Sequence, residues 1–174
     1  MFALVALTVA IAPLVSSSPK TMVAAACVPA QGPGIAPPAS VPSGIEGFHA
    51  AWYGQSGYQS LCPGQVASAV VAFYNSGSFG WVSGRMGEAA YLGTWDPEPG
   101  QDRPSALGGD GQFGSPATGW PRYNRVATQP AAYVGPGQVA WFQFSLRAPS
   151  TPGTYRLSIR FPDSSWTAES RPAV

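Results

Sequence analysis

Acidic side chains are the first candidates for chemistry in this chain. Asp96, Glu98, Asp102 and Asp110 all fall in one turn-rich stretch that follows Trp95. Two carboxylates can supply the acid and base of glycoside hydrolysis, and several can hold calcium, but these four lack the spacing of a calcium-binding loop. Carboxylates in loops are more often simply solvated. We therefore expect neither a catalytic pair nor a metal site here.

The single histidine, His49, does not complete a recognisable catalytic or zinc motif. No second histidine or cysteine stands at the spacing of a zinc site, so a packing or surface role is expected. The sequence also lacks a Gly-x-Ser-x-Gly elbow, a phosphate-binding loop and a His-Glu-x-x-His motif. A hydrolase triad would have to pair His49 with a serine that nothing in the sequence selects. These residues predict a protein without enzymatic activity and without a cofactor.

The two cysteines, Cys27 and Cys62, are compatible with three interpretations. In an oxidising compartment they can form a disulfide that joins the N-terminal region to the domain. The sequence "AAAC" also resembles the lipobox of bacterial lipoproteins, in which the cysteine is acylated, although the usual leucine position holds Ala24. In the third interpretation both cysteines stay unpaired. The residue types leave all three open.

Residues 1–26 have the organisation of a secretory signal peptide. An apolar run from Phe2 to Val15 is followed by a short polar break and then by three alanines, Ala24 to Ala26, in small-residue cleavage form. The run is short for a transmembrane helix and Pro13 interrupts it, so a retained membrane span is the less favoured alternative. We predict that the protein is secreted and extracellular, either free or attached to the cell surface.

The composition favours one all-β domain. Of the 174 residues, 45% are hydrophobic and only 10% are charged, and 21 Gly and 19 Pro favour short strands joined by many turns. Lys20 is the only lysine, so a chain that starts at Cys27 carries eight arginines and eight acidic residues. This balance argues against binding to nucleic acid or to an anionic membrane. We expect a monomer whose partner is an extracellular protein or a cell-wall polysaccharide.

Hydrophobic alternation locates the strands within a domain that spans residues 46–174. Residues 27–45 are rich in Pro, Gly and Ala and have no hydrophobic period, which predicts a disordered linker. Gln65 to Asn75 is apolar on both faces, as in a central strand. Ala140 to Arg147 and Thr154 to Phe161 alternate, which predicts an antiparallel pair around "APSTPG". The other predicted strands lie near Phe48 to Leu61, Met86 to Trp95 and Trp120 to Val134. This pattern fits an immunoglobulin-type sandwich of six to seven strands.

Four motifs follow one another in an order that resembles a known family. They are "PG" at 63–64, "NSGSFGW" at 75–81, "PGQVAWFQFSLRAP" at 136–149 and "PGTY" at 152–155. They resemble the four-tryptophan immunoglobulin-like domain of selective-autophagy receptors and of many secreted bacterial proteins. The resemblance covers roughly residues 48–166.

The tryptophans carry much of this resemblance. Trp81 and Trp166, with Trp95 and Trp120, match the aromatic positions of the family. We expect Trp81 and Trp166 to lie in the core, because large aromatic rings contribute much burial energy. The resemblance implies a non-catalytic immunoglobulin-like β-sandwich that binds partners. Relatives continue into a final strand beyond the position of Trp166, so the C-terminal strand is expected to be short or missing.

The recognition surface is predicted between Trp95 and Trp120, since a long stretch without a strand pattern is usually either functional or structured by its own packing. Trp141 lies opposite the apolar face of its strand, so it either packs under this loop or stands exposed. The predicted site combines aromatic rings with arginines: Trp95, Trp120, Arg122, Tyr123, Arg125 and Trp141. The expected function is protein recognition or structural support at the cell surface. The alternative is a carbohydrate-binding or wall-binding module that uses exposed tryptophans.

Overall fold

A computed structural model describes residues 26–108 and 117–161. Within these ranges the chain forms ten strands and no helix, so the predicted all-β class is confirmed. The strands are β1 (Ala30–Gln31), β2 (Ala50–Gln55), β3 (Gln59–Ser60), β4 (Val66–Asn75), β5 (Trp81–Val82), β6 (Tyr91–Thr94), β7 (Arg125–Thr128), β8 (Tyr133–Val134), β9 (Val139–Arg147) and β10 (Ile159–Arg160). They form four small antiparallel sheets, ordered β1-β3, β2-β4-β9, β10-β6-β7 and β5-β8.

Two expectations fall on residues that are not described. The predicted leader lies outside the described ranges except for Ala26, and so does Trp166 with the whole segment after Phe161. In the described part of the chain, no helix has the length and apolar character needed to cross a membrane.

The sheet β2-β4-β9 contains the longest strands. β4 is its central strand and pairs with β9 over nine residues, from Val66 opposite Arg147 to Tyr74 opposite Val139. The alternation in β9 has the predicted consequence, because one side is buried and Trp141 stands on the other side. The buried side consists of Ala140, Phe142, Phe144 and Leu146. The central position predicted for the strand apolar on both faces is confirmed.

The predicted hairpin after β9 is wrong. Only Ile159 and Arg160 are in strand conformation, and they pair with Thr94 and Gly93 of β6 instead of with β9. The connection contains Pro149 and Pro152, which have no backbone N–H to donate to a ladder. The chain therefore crosses from the sheet of β9 to the sheet of β6. The alternating residues Leu157, Ile159 and Phe161 are nevertheless buried, as their period predicted.

The predicted strand from Met86 to Trp95 is shorter than expected. Residues before Tyr91 form a turn, in which the N–H of Ala89 donates to the carbonyl of Arg85. Gly84 and Gly87 have φ angles of 76° and 79°, a region that other residues rarely adopt, and these angles are incompatible with an extended strand. The strand begins only where this turn ends.

One hydrophobic cluster contains residues from both three-stranded sheets. Phe142 of β9 and Leu92 of β6 are both completely buried in it. At one end the ring of Phe161 lies 4.4 Å from that of Trp81 and 5.6 Å from that of Phe73, measured between centroids. The core position expected for Trp81 is confirmed, since its exposure is 0%.

The segment predicted as a disordered linker, residues 27–45, makes specific contacts with the rest of the chain. β1 pairs with β3, Ile35 bridges to Gln55, and Ile45 bridges to Gly77. Cys27 and Cys62 form a disulfide, which is one of the three interpretations that the sequence left open. A cross-link that closes a loop of this length, with a separation of 35 residues, is worth about 4 kcal/mol in the chain-entropy account. It also indicates an oxidising environment.

Candidate binding surface on strand β9

Trp120 belongs to the core and not to the surface on which it was predicted. Only 1% of its area is exposed, and its indole Nε1 donates a hydrogen bond of 2.7 Å to the carbonyl of Ser145 in β9. The large ring fills space beside β9 while its one polar atom is satisfied by the backbone. Trp120 therefore stabilises the sheet and offers no ring face to a ligand.

Trp95 and Arg125 lie beside the sheet β10-β6-β7. The Arg160 guanidinium carbon lies 4.3 Å from the centroid of the Trp95 ring, so a cation already covers one face of this half-buried indole. Arg125 donates to a carboxylate oxygen of Asp102 and to the carbonyl of Asn124. The Arg125 guanidinium is thus bound within the protein, which leaves less of it for a ligand.

The loop after β6 is held together by its own hydrogen bonds. The hydroxyl of Thr94 donates to the carbonyl of Arg103, and the N–H of Asp102 donates to the carbonyl of Thr94. Arg122 is exposed and Tyr123 is half-buried at the turn that leads into β7. Asp110 lies outside the described residues. The contacts of Trp95 with Arg160 and of Arg125 with Asp102 lie at the sheet β10-β6-β7, whereas Trp141 belongs to the sheet β2-β4-β9.

Trp141 is the predicted site residue that stands clearly on the surface, with 53% of its area exposed on the outer face of the sheet β2-β4-β9. The ring of Tyr53 meets it edge-on, with centroids 6.5 Å apart and planes at 89°. Tyr74 continues the group, since its ring lies 6.3 Å from that of Tyr53 at an angle of 22°. We call Tyr53, Tyr74 and Trp141 the aromatic face.

Small residues between these rings allow them to lie over the sheet. Ala72 is opposite both Gly54 and Trp141 in the ladder and points to the outer side, yet its exposure is 0%. Other groups on this side of the sheet therefore cover it. Tyr53 falls at the irregularity between Trp52 and Gly54, where the register of β2 shifts.

Sequence reasoning missed two members of the aromatic face. The period of β4 could have placed Tyr74 opposite to Phe73 and thus on the outer side. Tyr53 could not be placed in this way, because the register shift in β2 changes which face a residue occupies and no sequence signal marks it.

The polar side chains around the aromatic face are neutral. Gln143, two residues after Trp141, donates from its amide nitrogen to the hydroxyl of Ser68 at 3.0 Å. Along the outer side of β4 and β9, the first charged side chain is Arg147 at the far end. This part of the sheet therefore offers rings and neutral hydrogen-bonding groups to a ligand.

One edge of β9 is a second feature of the same strand. Arg147 donates its N–H to the carbonyl of Leu107, and the carbonyl of Ser145 accepts from Trp120, so the backbone groups of these residues point away from β4. By the alternation of an antiparallel ladder, the same holds for residues 139, 141 and 143. Among the described residues, no strand pairs with this side of β9. We call Val139–Gln143 the open edge.

A cavity of about 350 Å³ lies beside the open edge, between β9 and β7. Gln143, Phe144 and Ser145 line one side of it, and Val126 to Thr128 line the other. Thr118 to Pro121 also line it.

Two buried amide side chains form hydrogen bonds with backbone groups of the neighbouring turns. Sequence reasoning did not identify this structural role. Asn75 is fully buried; its side-chain nitrogen donates to the carbonyls of Phe79 and Val134, and its oxygen accepts from the N–H of Gly77. Gln129 accepts from the N–H of Ala90 and donates to two carbonyls. Both residues satisfy backbone groups in the core and are therefore structural.

Comparison with family models, with curated proteins and with solved structures finds no match for this chain. The described residues contain no group of three or more His, Cys, Asp or Glu side chains arranged to hold a metal ion.

Proposed function

We propose that this protein is a secreted, non-catalytic immunoglobulin-like module that recognises a protein partner at the cell surface. The observation that carries the proposal is the open edge of β9, Val139–Gln143. A strand edge presents a row of backbone donors and acceptors, and an extended segment of another chain can pair with them.

The sequence of the open edge favours such pairing. Soluble proteins often protect strand edges with charged residues, prolines or bulges. Val139–Gln143 contains no charged residue and no proline, and its pairing with β4 is regular throughout. The backbone groups of Trp141 and Gln143 would form hydrogen bonds with the backbone of an added strand. Neighbouring side chains would supply selectivity.

The architecture supports the immunoglobulin-like part of the proposal. Two three-stranded antiparallel sheets contribute to one core, which is the arrangement that a β-sandwich requires. Trp81 and Trp120, which the resemblance matches to aromatic positions of the four-tryptophan family, both lie in this core. Placement outside the cell is supported by the leader-like residues 1–26 and by the Cys27–Cys62 disulfide.

The alternative is a carbohydrate-binding or wall-binding module built on exposed tryptophans. The positions of the tryptophans predicted for it give it less support. It would need the rings of Trp95, Trp120 and Trp141 on one surface. Trp120 is buried, and Trp95 lies against Arg160 beside the other three-stranded sheet. Of these three tryptophans, only Trp141 is exposed.

Substitution of Gln143 tests recognition through the open edge. The N–H of residue 143 points away from β4, so Gln143→Pro removes a donor from the open edge without removing a ladder bond to β4. Gln143→Ala is the matched control, because it removes the side chain and keeps the N–H. Cross-linking on the surface of the producing cells would identify partners, and titration with the purified partner would give the affinity.

The expected result is that wild type and Gln143→Ala bind the partner while Gln143→Pro binds at least about tenfold more weakly, a loss of about 1.4 kcal/mol. Circular dichroism and thermal unfolding must show that the proline variant is folded. Equal binding by all three proteins would contradict recognition through this edge, and failure to cross-link any surface protein would contradict the proposed function.

A further inference from the structure

The aromatic face is a candidate ligand site separate from the open edge, because it uses side chains on the outer side of the sheet instead of backbone groups. It comprises Tyr53, Tyr74 and Trp141, with Gln143 and Ser68 beside it. We propose that the aromatic face binds a neutral pyranose saccharide. This proposal does not rest on protein recognition through β9.

The rings form an apolar patch in which two rings are nearly parallel and the third is perpendicular to one of them. The rings of Tyr53 and Tyr74 are nearly parallel, at 22°, with centroids 6.3 Å apart. This separation is too large for face-to-face overlap and corresponds to an offset arrangement, in which each ring keeps part of its face. Trp141 is perpendicular to Tyr53 and borders this patch. Ala72, on the same side of the sheet, is fully buried.

The mixture of groups matches a sugar ring. A pyranose has an apolar C–H face, which packs on aromatic rings, and a rim of hydroxyls, which need neutral donors and acceptors. Gln143 donates an amide hydrogen to the Ser68 hydroxyl, and its carbonyl oxygen accepts no hydrogen bond from a described residue. The outer side of β4 and β9 has no charge before Arg147, which favours a neutral saccharide over a phosphorylated or acidic one.

The size of the aromatic face argues against a protein interface at this place. Three fully exposed aromatic side chains would present about 450–750 Å². Trp141 is 53% exposed and the two tyrosines are mostly buried, so the rings present well under half of that area. A stable protein interface buries about 800 Å² on each partner. One or two sugar units fit the available area better.

Calorimetric titration of the folded protein with cellotetraose and with chitotetraose, two neutral probes, tests the proposal. We expect saturable binding to at least one probe, and binding at least about tenfold weaker in Trp141→Ala and in Tyr74→Ala. Tyr133→Ala is the matched control, because Tyr133 is an aromatic residue with 57% exposure that lies in the small sheet β5-β8. It should bind as wild type does.

Three outcomes would overturn the inference. They are no saturable binding to either neutral probe, an equal loss in Tyr133→Ala, and binding only to a sulfated polysaccharide such as heparin. The test is independent of the open edge, since Trp141→Ala keeps every backbone group of β9. A protein partner that is lost in Gln143→Pro but retained in Trp141→Ala would support the proposed function even if the saccharide site failed.

Discussion

Both faces of the sheet β2-β4-β9 carry aromatic side chains, but those on the inner face are buried and those on the outer face are partly exposed. On the inner face Phe73 and Phe142 are completely buried and their rings meet at 83°. On the outer face Tyr74 and Trp141 occupy the alternate positions of the same two strands, and Trp141 remains 53% exposed. Aromatic content therefore does not separate core from site in this protein. The alternation of side chains along the strand separates the core residues from the surface residues, because successive side chains point to opposite faces.

Trp120 and Trp141 show the same difference between a buried and an exposed ring in two residues of one type. Trp120 packs against β9, and its ring is enclosed with its indole nitrogen bound to Ser145. Trp141 belongs to β9, lies opposite Ala72 in the ladder and contacts the ring of Tyr53. We expect Trp120 to contribute mainly to folding and Trp141 mainly to binding.

The largest effect is expected for Trp120→Ala. Removal of a fully buried indole should lower the free energy of unfolding by about 3–5 kcal/mol, because burial is lost and a cavity is left. Trp120→Phe is the control; it keeps much of the volume but leaves the carbonyl of Ser145 without its donor, so a loss of about 1–3 kcal/mol is expected. Denaturant titration measures both. A loss below about 1 kcal/mol in Trp120→Ala would show that Trp120 is not a core residue.

Asn75→Ala should have the next largest effect. The substitution removes a fully buried side chain that is the partner of three backbone groups, so we expect a loss of about 2–4 kcal/mol in the free energy of unfolding. Asn124→Ala is the matched control, since its amide makes an exposed hydrogen bond to Asp102 and should cost less than about 0.5 kcal/mol. Similar losses in the two variants would contradict the structural role of Asn75.

Local sequence patterns predicted the positions of the long strands and the faces that they bury. β4 and β9 follow their patterns closely, because alternation depends only on the strand itself. The partner of β10 could not be derived in the same way, since the residues after β9 have the same period whether they pair with β9 or with β6. Pairing is decided by the path of the connection, and Pro149 and Pro152 change that path.

The candidate site was predictable only in part. The exposure of Trp141 was one of two outcomes that its position opposite the apolar face allowed. Trp120 was assigned to the surface because it borders a long loop, but contact with the Ser145 carbonyl is a tertiary property with no local signal. The same is true of Tyr53, whose face depends on a register shift.

A smaller effect is expected for Arg125→Ala. Arg125 is paired with Asp102, but the two side chains are 31% and 49% exposed, so solvent screens their interaction. We expect a loss of about 1 kcal/mol that decreases as the salt concentration is raised. Thermal unfolding at low and high salt measures it. A loss that does not depend on salt would indicate that packing of the side chain, and not charge, is the cause.

The smallest effect on stability is expected for Trp141→Ala, about 0.5 kcal/mol, because this ring is far more exposed than that of Trp120. Saccharide binding should nevertheless fall at least about tenfold, so stability and binding should separate in this variant and coincide in Trp120→Ala. Denaturant titration and calorimetry on the same preparations would measure both quantities. If Trp141→Ala destabilised the protein as much as Trp120→Ala, the outer face would be part of the folding core, and the loss of binding could no longer be assigned to the ring.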